Sequence, residues 1–541
     1  MQRDLAEIEA QVDGEYQELV PLGGREPIVL HLLQAHDVWF RAHDPSDEPN
    51  WVDSSKYPLM HAMRMASPRV GAPYNGIPRA PSEGMLSECI NLLQHCIGYV
   101  GVWFAFNAVH RGICGIERCT DSELVLTPND AWFAYDALDF LVHQEPERGR
   151  QAGEFVDAAD EVCLRAVRRD PSRVRTPGMS VFAFTADELR ALLKLAANWH
   201  GPGYVVPADW IIGGVGMAEH RAVWDAVCVL SFLHATALSR VDARTDAYTV
   251  LFARRSHIEL RVSEVTGLSR DVVRRALDFL VLAPKERHGD VGITPFVPLG
   301  RDILAASPMI PFSSNFERNF CSVAARREKK EYSQASGELE GKLVGELAAL
   351  CRVAGFAASA GTQVRTLLGS TDIDLMVFSP KERFLLTIEV KWIIQTADFI
   401  EVINRGEATC EDALSRQLPR HKAAIEADVQ GLTKRAFGMT CDVAATGSGL
   451  VVRGYSGSPR LPFGEFGFSP EPLLRKWLSQ KNCSLRDLWY RMQARDFVPK
   501  LGREFTVRER VITSPGGYRI VAADWEPLYP SGRGTSDSRR R

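Results

Sequence analysis

No two cysteines in the 541-residue sequence are spaced C-x-x-C. Cys114 and Cys119 lie near one another, but no second pair of ligands follows at a finger-like interval, so a structural zinc site is not expected. The eleven cysteines are odd in number and scattered from Cys89 to Cys483, which reads as free buried thiols in a reducing compartment rather than a disulfide framework. No G-x-x-x-x-G-K-[ST] occurs, which excludes P-loop chemistry within the chain. The start, MQRDLAEIEA, has no apolar signal-peptide core. The most membrane-like stretch, 85–110, is interrupted by Glu88, Asn91, Gln94, His95 and Asn107, and its clean apolar run 96–106 is short of the ~20 residues that a span requires. A soluble cytoplasmic protein without membrane contact is expected. There is no internal repeat and no basic excess; a net charge of −4 argues against nonspecific coating of nucleic acid.

What charge there is lies unevenly. Residues 1–60 carry twelve acids against four bases, and residues 251–287 carry eight bases against five acids, so the middle suits a polyanion better than the N-terminus does. Helical apolar spacing covers 85–111, 129–143, 152–168, 186–199 and 217–238, and a short acidic helix is expected over 5–19. Residues 43–84, rich in Pro, Ser, Asp and Gly, read as irregular. The first ~240 residues are therefore expected to be mainly helical.

Residues 257–282 read HIELRVSEVTGLSRDVVRRALDFLVL. Ile258, Val262 and Val265 make one helix face, Gly267 stops that helix, and Ser269 can cap a second whose buried stripe is Val272, Val273, Ala276, Leu277 and Leu280. Two helices around a glycine turn are a helix-turn-helix pattern, and Arg270, Arg274 and Arg275 lie outside the stripe, where they could meet phosphates or guanine edges. The same pattern also serves a plain winged-helix-like packing unit with solvated arginines. Residues 284–335 read as an extended connector ending in the charge run RREKKE.

A different pattern begins near residue 338. A helix is expected over 338–354, stopped by Gly355, then β structure over 356–364. GSTDIDLMVFSPKERFLLTIEVKW, residues 369–392, predicts a hairpin with strands at 373–378 and 384–392. Residues two apart share a strand face, so Asp372 and Asp374 point one way and Glu389 and Lys391 do likewise. Their neighbours Ile373, Leu375, Leu386, Ile388 and Val390 suit a central strand buried on both faces. An acid and a lysine there are costly unless paired or bound to metal, and such a conflict between burial and charge marks a functional site. Phosphodiester hydrolysis needs a hydroxide-like nucleophile and neutralised charge. A hard divalent ion shared by Asp374 and Glu389 would meet both needs, with Lys391 orienting or helping to activate the water. Mg²⁺ suits such oxygen ligands, and Mn²⁺ would substitute.

An acid on one strand, a turn, then E-x-K on an apolar strand resembles the PD-(D/E)xK, or restriction-endonuclease-like, nuclease superfamily. Asp374, preceded by Ile373 rather than proline, matches its first acid, and Glu389–Val390–Lys391 matches E-x-K. The resemblance spans about 120 residues, near a fifth of the chain. It implies an acid on the preceding helix, best matched by Glu346 with Glu340 second, and a site glutamine on the following helix, matched by Gln417 in SRQLPRHKAAIEADV. It also implies the core order helix, three strands, helix, strand, the last strand at 449–454. Arg416, Arg420, His421 and Lys422 surround Gln417 and either touch a DNA backbone or form a solvated face.

The expectation is a multidomain α/β protein. Residues 1–245 form a mainly helical region, 246–300 a helix-turn-helix or winged-helix-like segment, and 301–335 a connector. Residues 336–460 form the nuclease-like domain with a central mixed sheet, 461–530 two helices and a hairpin, and 531–541 a disordered tail. The function expected is Mg²⁺-dependent cleavage of DNA, suited to bacterial defence against foreign DNA. Structure-specific repair, or noncatalytic DNA-binding regulation by a relic nuclease fold, are the alternatives. A homodimer, and a partner protein docking on the N-terminal half, are further expectations.

Overall fold

The turn between the two helices of the basic segment shows how closely local sequence dictates local structure. Gly267 closes the first helix at φ 75°, in the left-handed region that glycine enters at least cost, and the Ser269 side chain accepts from the Val272 amide to cap the second. The computed structural model describes residues 4–42, 56–67, 81–142, 152–175, 180–196, 206–241, 248–283, 290–300, 302–308, 310–311, 314–366, 369–393, 406, 408–454 and 463–528. The tail 531–541 lies outside them. The protein is mixed α/β, with sheets of four, five, two and three strands among these residues.

The N-terminal part contains helices α1 (Leu5–Gln17), α2 (Arg25–Ala42), α3 (Lys56–Ala66), α4 (Glu83–His110), α5 (Asp130–Val142), α6 (Ala152–Arg169), α7 (Pro171–Arg175), α8 (Ala186–Ala196) and α9 (Met217–Val241). Helix α3 lies where composition suggested irregular chain. Its Pro58 falls in the first turn, where a missing amide donor costs nothing, and its body is buried, so packing overrides composition. Helices α4 and α9 are long and apolar enough to cross a membrane by length and composition; half of the most apolar window of α4 and most of that of α9 are buried within the protein.

The same part also holds strands: β1 (Gly115–Cys119), β2 (Glu123–Thr127), and a two-residue hairpin of β3 (Ile211–Ile212) and β4 (Val215–Gly216) that turns on Gly213 and Gly214, both at positive φ. β5 (Leu251–Arg254), α10 (Arg255–Thr266), α11 (Arg270–Asp278), β6 (Val297–Leu299) and β7 (Ile303–Ala306) follow, with sheet order β5-β7-β6. The stretch 301–335, expected to be a connector, holds β7, α12 (Phe316–Arg327) and the first turns of α13 (Lys329–Val353). The charge run therefore lies at a helix junction, and α13 begins nine residues earlier than its apolar spacing indicates.

The five-stranded sheet has the order β12-β11-β10-β9-β8. β8 (Ala357–Thr366), β9 (Gly369–Ser379) and β10 (Phe384–Trp392) are antiparallel neighbours. After α14 (Leu418–Phe437), β11 (Ala445–Arg453) and β12 (Gly467–Pro470) add in parallel. One face packs on α13, α15 (Glu471–Leu478) and α16 (Leu485–Ala494) through Leu343, Leu347, Leu474 and Leu488. The other packs on α14 through Ala424, Ile425 and Leu432. The C-terminal hairpin, β13 (Phe505–Thr513) and β14 (Arg519–Pro527), joins a different sheet: β14 runs parallel to β2, and Ile512, Tyr518 and Ile520 enter the core of α1–α4.

Candidate active site

The burial of β10 explains its sequence. Leu386, Ile388 and Val390 pack on the α13 side, while Leu385 belongs to the α14 side, which strand alternation assigns to Thr387, Glu389 and Lys391 as well. β10 stays paired with β11 out to Trp392 opposite Arg453, but its pairing with β9 ends at Ile388 opposite Leu375. Beyond that point the two strands part, and their backbone amides need other acceptors. The Val390 amide donates to Asp374 Oδ2 at 2.8 Å, and the Trp392 amide donates to Glu340 Oε2 at 3.3 Å. The parting of the strands thus draws two carboxylates to the end of β10.

Glu389, whose charge acts on both, is 1% exposed. Lys391 Nζ donates to its Oε1 at 2.5 Å and stands 3.8 Å from Glu340 Oε1. On α14, the fully buried His421 brings Nε2 to 3.3 Å from Glu389 Oε2 and to 3.2 Å from the Asp372 carbonyl oxygen. Of these two contacts, the one to the carbonyl has hydrogen-bond geometry. Glu389 Oε2 and His421 Nδ1 are buried without a hydrogen bond among the described residues.

Charge is distributed asymmetrically. Burial, then the neighbouring Glu389 carboxylate, push the Asp374 pKa up to about 7. Burial alone would raise Glu389 too, but the His421 contact and the Lys391 ammonium outweigh it and hold Glu389 below the usual carboxylate range. Burial works against the charge on Lys391, yet Glu389 and Glu340 overcome it and raise its pKa. Burial also raises Glu340. Two interacting acids titrate as a pair, and in this one the first proton resides on Asp374 while Glu389 stays ionised.

Of the residues singled out by sequence, Asp374, Glu389 and Lys391 converge. Glu346 does not: it sits on the exposed flank of α13 and accepts from Arg475 Nη2 at 2.7 Å. Glu340, six residues earlier, is the acid of that helix at the site. Gln417 ends the turn before α14, four residues before His421, with Oε1 buried and without a partner among the described residues. Arg416 pairs with Asp412, and Lys422 with Glu465 at 2.7 Å. Arg420 reaches the Ser370 carbonyl at 3.5 Å. On α11, Arg274 pairs with Asp271, and Arg275 bonds Asp271 and the Gly214 carbonyl. Arg270 is exposed, with no ion pair among the described residues. His421, read from sequence only as one of a basic group, is the buried contact to Glu389 that this reading did not single out. Its signal was its place one helical turn after Gln417.

Asp374 and Glu389 offer the hard oxygens that Mg²⁺ takes, and Glu389 Oε2, buried without a donor, is a position that a cation would satisfy. Among the described residues no group of three or more His, Cys, Asp or Glu side chains converges to hold a metal. An ion here would therefore rest on these two carboxylates and keep several waters, as Mg²⁺ commonly does. No known protein family, no curated protein and no solved structure matches the chain.

Proposed function

We propose that the protein is a metal-dependent nuclease that hydrolyses DNA phosphodiester bonds, with residues from α13 to β11 forming a PD-(D/E)xK-like core. The observation that carries this reading is the buried group of Asp374, Glu389 and Lys391 at the point where β9 and β10 part. A structural ion pair needs one acid per lysine. Here three carboxylates, of Asp374, Glu389 and Glu340, serve a single ammonium, an arrangement that stabilises little by itself and suits the recruitment of a cation. The element order α13, β8, β9, β10, α14, β11 is the order this reading requires.

Asp374 and Glu389 would hold Mg²⁺ or Mn²⁺, which when bound supplies charge neutralisation at the phosphate and a more acidic water. Asp374 is oriented by the Val390 amide, so one carboxylate oxygen is fixed and the other is left for a ligand. Lys391, kept charged by its acidic neighbours, would donate to the water or to a phosphate oxygen and steady negative charge as it develops. Near-complete burial of Glu389 keeps bulk water from its carboxylate.

DNA contact outside the site is assigned to β5 through β7. Strand, two helices and two strands in the sheet order β5-β7-β6 have a winged-helix layout, with α11 as its exposed helix and Arg270 as its uncommitted cation. Incubation of supercoiled plasmid and single-stranded circular DNA with Mg²⁺, Mn²⁺ or EDTA tests the proposal. Cutting that needs metal and disappears in Glu389→Ala and Lys391→Ala is the expected result. Folded wild-type protein that binds DNA but cuts neither substrate with either metal would replace this reading with that of a noncatalytic DNA-binding regulator.

A further inference from the structure

The geometry points to His421 as the positioning residue that sets the metal affinity of Glu389; this inference rests on the nuclease reading above. Three observations converge. His421 is fully buried, although Arg420 and Lys422 flank it in sequence. Its Nε2 lies between the Asp372 carbonyl at 3.2 Å and Glu389 Oε2 at 3.3 Å, so a single ring atom touches both β9 and β10 just where their pairing has ceased. Its Nδ1 has no hydrogen bond among the described residues, so the ring gains nothing on that side from being a histidine.

A buried ring nitrogen left without a partner is a cost that a leucine or phenylalanine would avoid. The imidazole therefore matters for its Nε2 side. There it ties the backbone of β9 to the carboxylate-bearing face of β10 across the gap. Glu389 has one oxygen held by Lys391 and the other beside the imidazole, and this leaves its carboxylate a single orientation. Asp374 lies two residues from the carbonyl that His421 grips, so the same contact fixes the distance between the two metal-facing carboxylates. Groups behind the direct ligands typically change metal affinity 10- to 100-fold when removed. His421 touches neither DNA nor water in this scheme and acts only through Glu389 and Asp372.

Mn²⁺ binding to the full chain, followed by electron paramagnetic resonance, tests the inference without depending on cleavage. His421→Leu removes the Nε2 donor and fills the volume with an apolar group. It should keep the wild-type melting temperature or raise it, while Mn²⁺ affinity falls about 10- to 100-fold. His421→Gln carries an amide N–H near the place of Nε2 and should restore most of that affinity. Wild-type affinity in His421→Leu would overturn the inference and leave the nuclease reading standing. So would equal losses in both variants, since a volume effect would then account for them. Absence of Mn²⁺ binding by the wild type would overturn both. Cleavage at saturating Mn²⁺ separates the cases further: a positioning role predicts activity that recovers at high metal in His421→Leu, and activity that does not recover would refute it.

Discussion

Asp374→Asn should make the metal-free protein more stable at alkaline pH while removing its activity. The folded protein binds a proton at Asp374 more tightly than the unfolded chain does, because the pKa rises from 3.8 to about 7. Below pH 3.8 both states are protonated and the residue costs nothing. As pH rises from 3.8 towards 7 the unfolded chain ionises first, so folded stability declines, and above about pH 7 the loss is complete. At about 1.36 kcal/mol per pH unit the full difference is about 4 kcal/mol, and because the charge is shared with Glu389, one substitution should recover about 2–4 kcal/mol. Asparagine keeps an oxygen to accept from the Val390 amide, so the strand geometry survives. Hydrogen exchange of β10 amides in EDTA, compared at pH 5, 6, 7 and 8, reads this local stability directly. The variant's protection should approach that of the wild type at low pH and exceed it increasingly up to about pH 7. Mg²⁺ should offset this advantage, since at about a thousand times its dissociation constant a ligand adds about 4.1 kcal/mol to the form that binds it. Equal protection in the two proteins at every pH would refute the argument that Asp374 is held in an unfavourable charge environment.

Glu346→Ala should leave metal-dependent cleavage unchanged, because that carboxylate is occupied by Arg475 on the surface, whereas Glu340→Ala should lower cleavage about 10-fold or more; the reverse pattern in a plasmid assay would count against the geometry of α13. Arg270→Ala should lower the slope of log affinity against log salt by about 1 in DNA-binding titrations, and Arg274→Ala should change it less because Asp271 already neutralises that side chain. His220, packed between Phe279 and Phe320, has its pKa lowered by burial to about 4, so the stability it allows is complete above pH 6.5 and is lost as pH falls towards 4. The loss at pH 5 is about 2 kcal/mol, and urea denaturation at pH 5 and pH 7 should show it diminished in His220→Phe.

The hairpin that carries the site was legible because its local signals agree. Apolar alternation sets the span of β10, Ser379–Pro380 opens the turn, and Glu389 and Lys391 stand out against LLTIEVKWII. The caps at Gly267 and Ser269 were legible for the same reason, as each is a matter of a few adjacent residues. Glu340 is not distinguishable from Glu346 in the sequence, because residues on a helix cannot be ordered by their distance from a strand until the helix is docked. His421 was hidden by its neighbours: in PRHKAA it reads as one of a run of cations, and only the packing of α14 on the sheet turns it inward. The strands β1 and β2 were missed within a helix-rich region: each is five residues long, and the second neighbour of β2, β14, lies nearly 400 positions away, beyond any local pattern.

That distant pairing governs how the protein can be made. Arg519, Ile520 and Val521 lie beside Glu123, Leu124 and Val125, the Glu15 carboxylate accepts from the Gly516 amide at 2.9 Å, and Asp136 accepts from the Trp525 indole at 2.6 Å. The core around α1–α4 therefore stays unfinished on the ribosome until β14, and with it the five-stranded sheet before it, has been synthesised, and its closure is a slow, long-range step. A ribosome that stalls or terminates between β12 and β14 releases a chain with an open N-terminal core, the kind of exposed apolar surface that cellular proteases remove. Under the nuclease reading proposed above, such an order of assembly would confine stable nuclease to chains synthesised through β14.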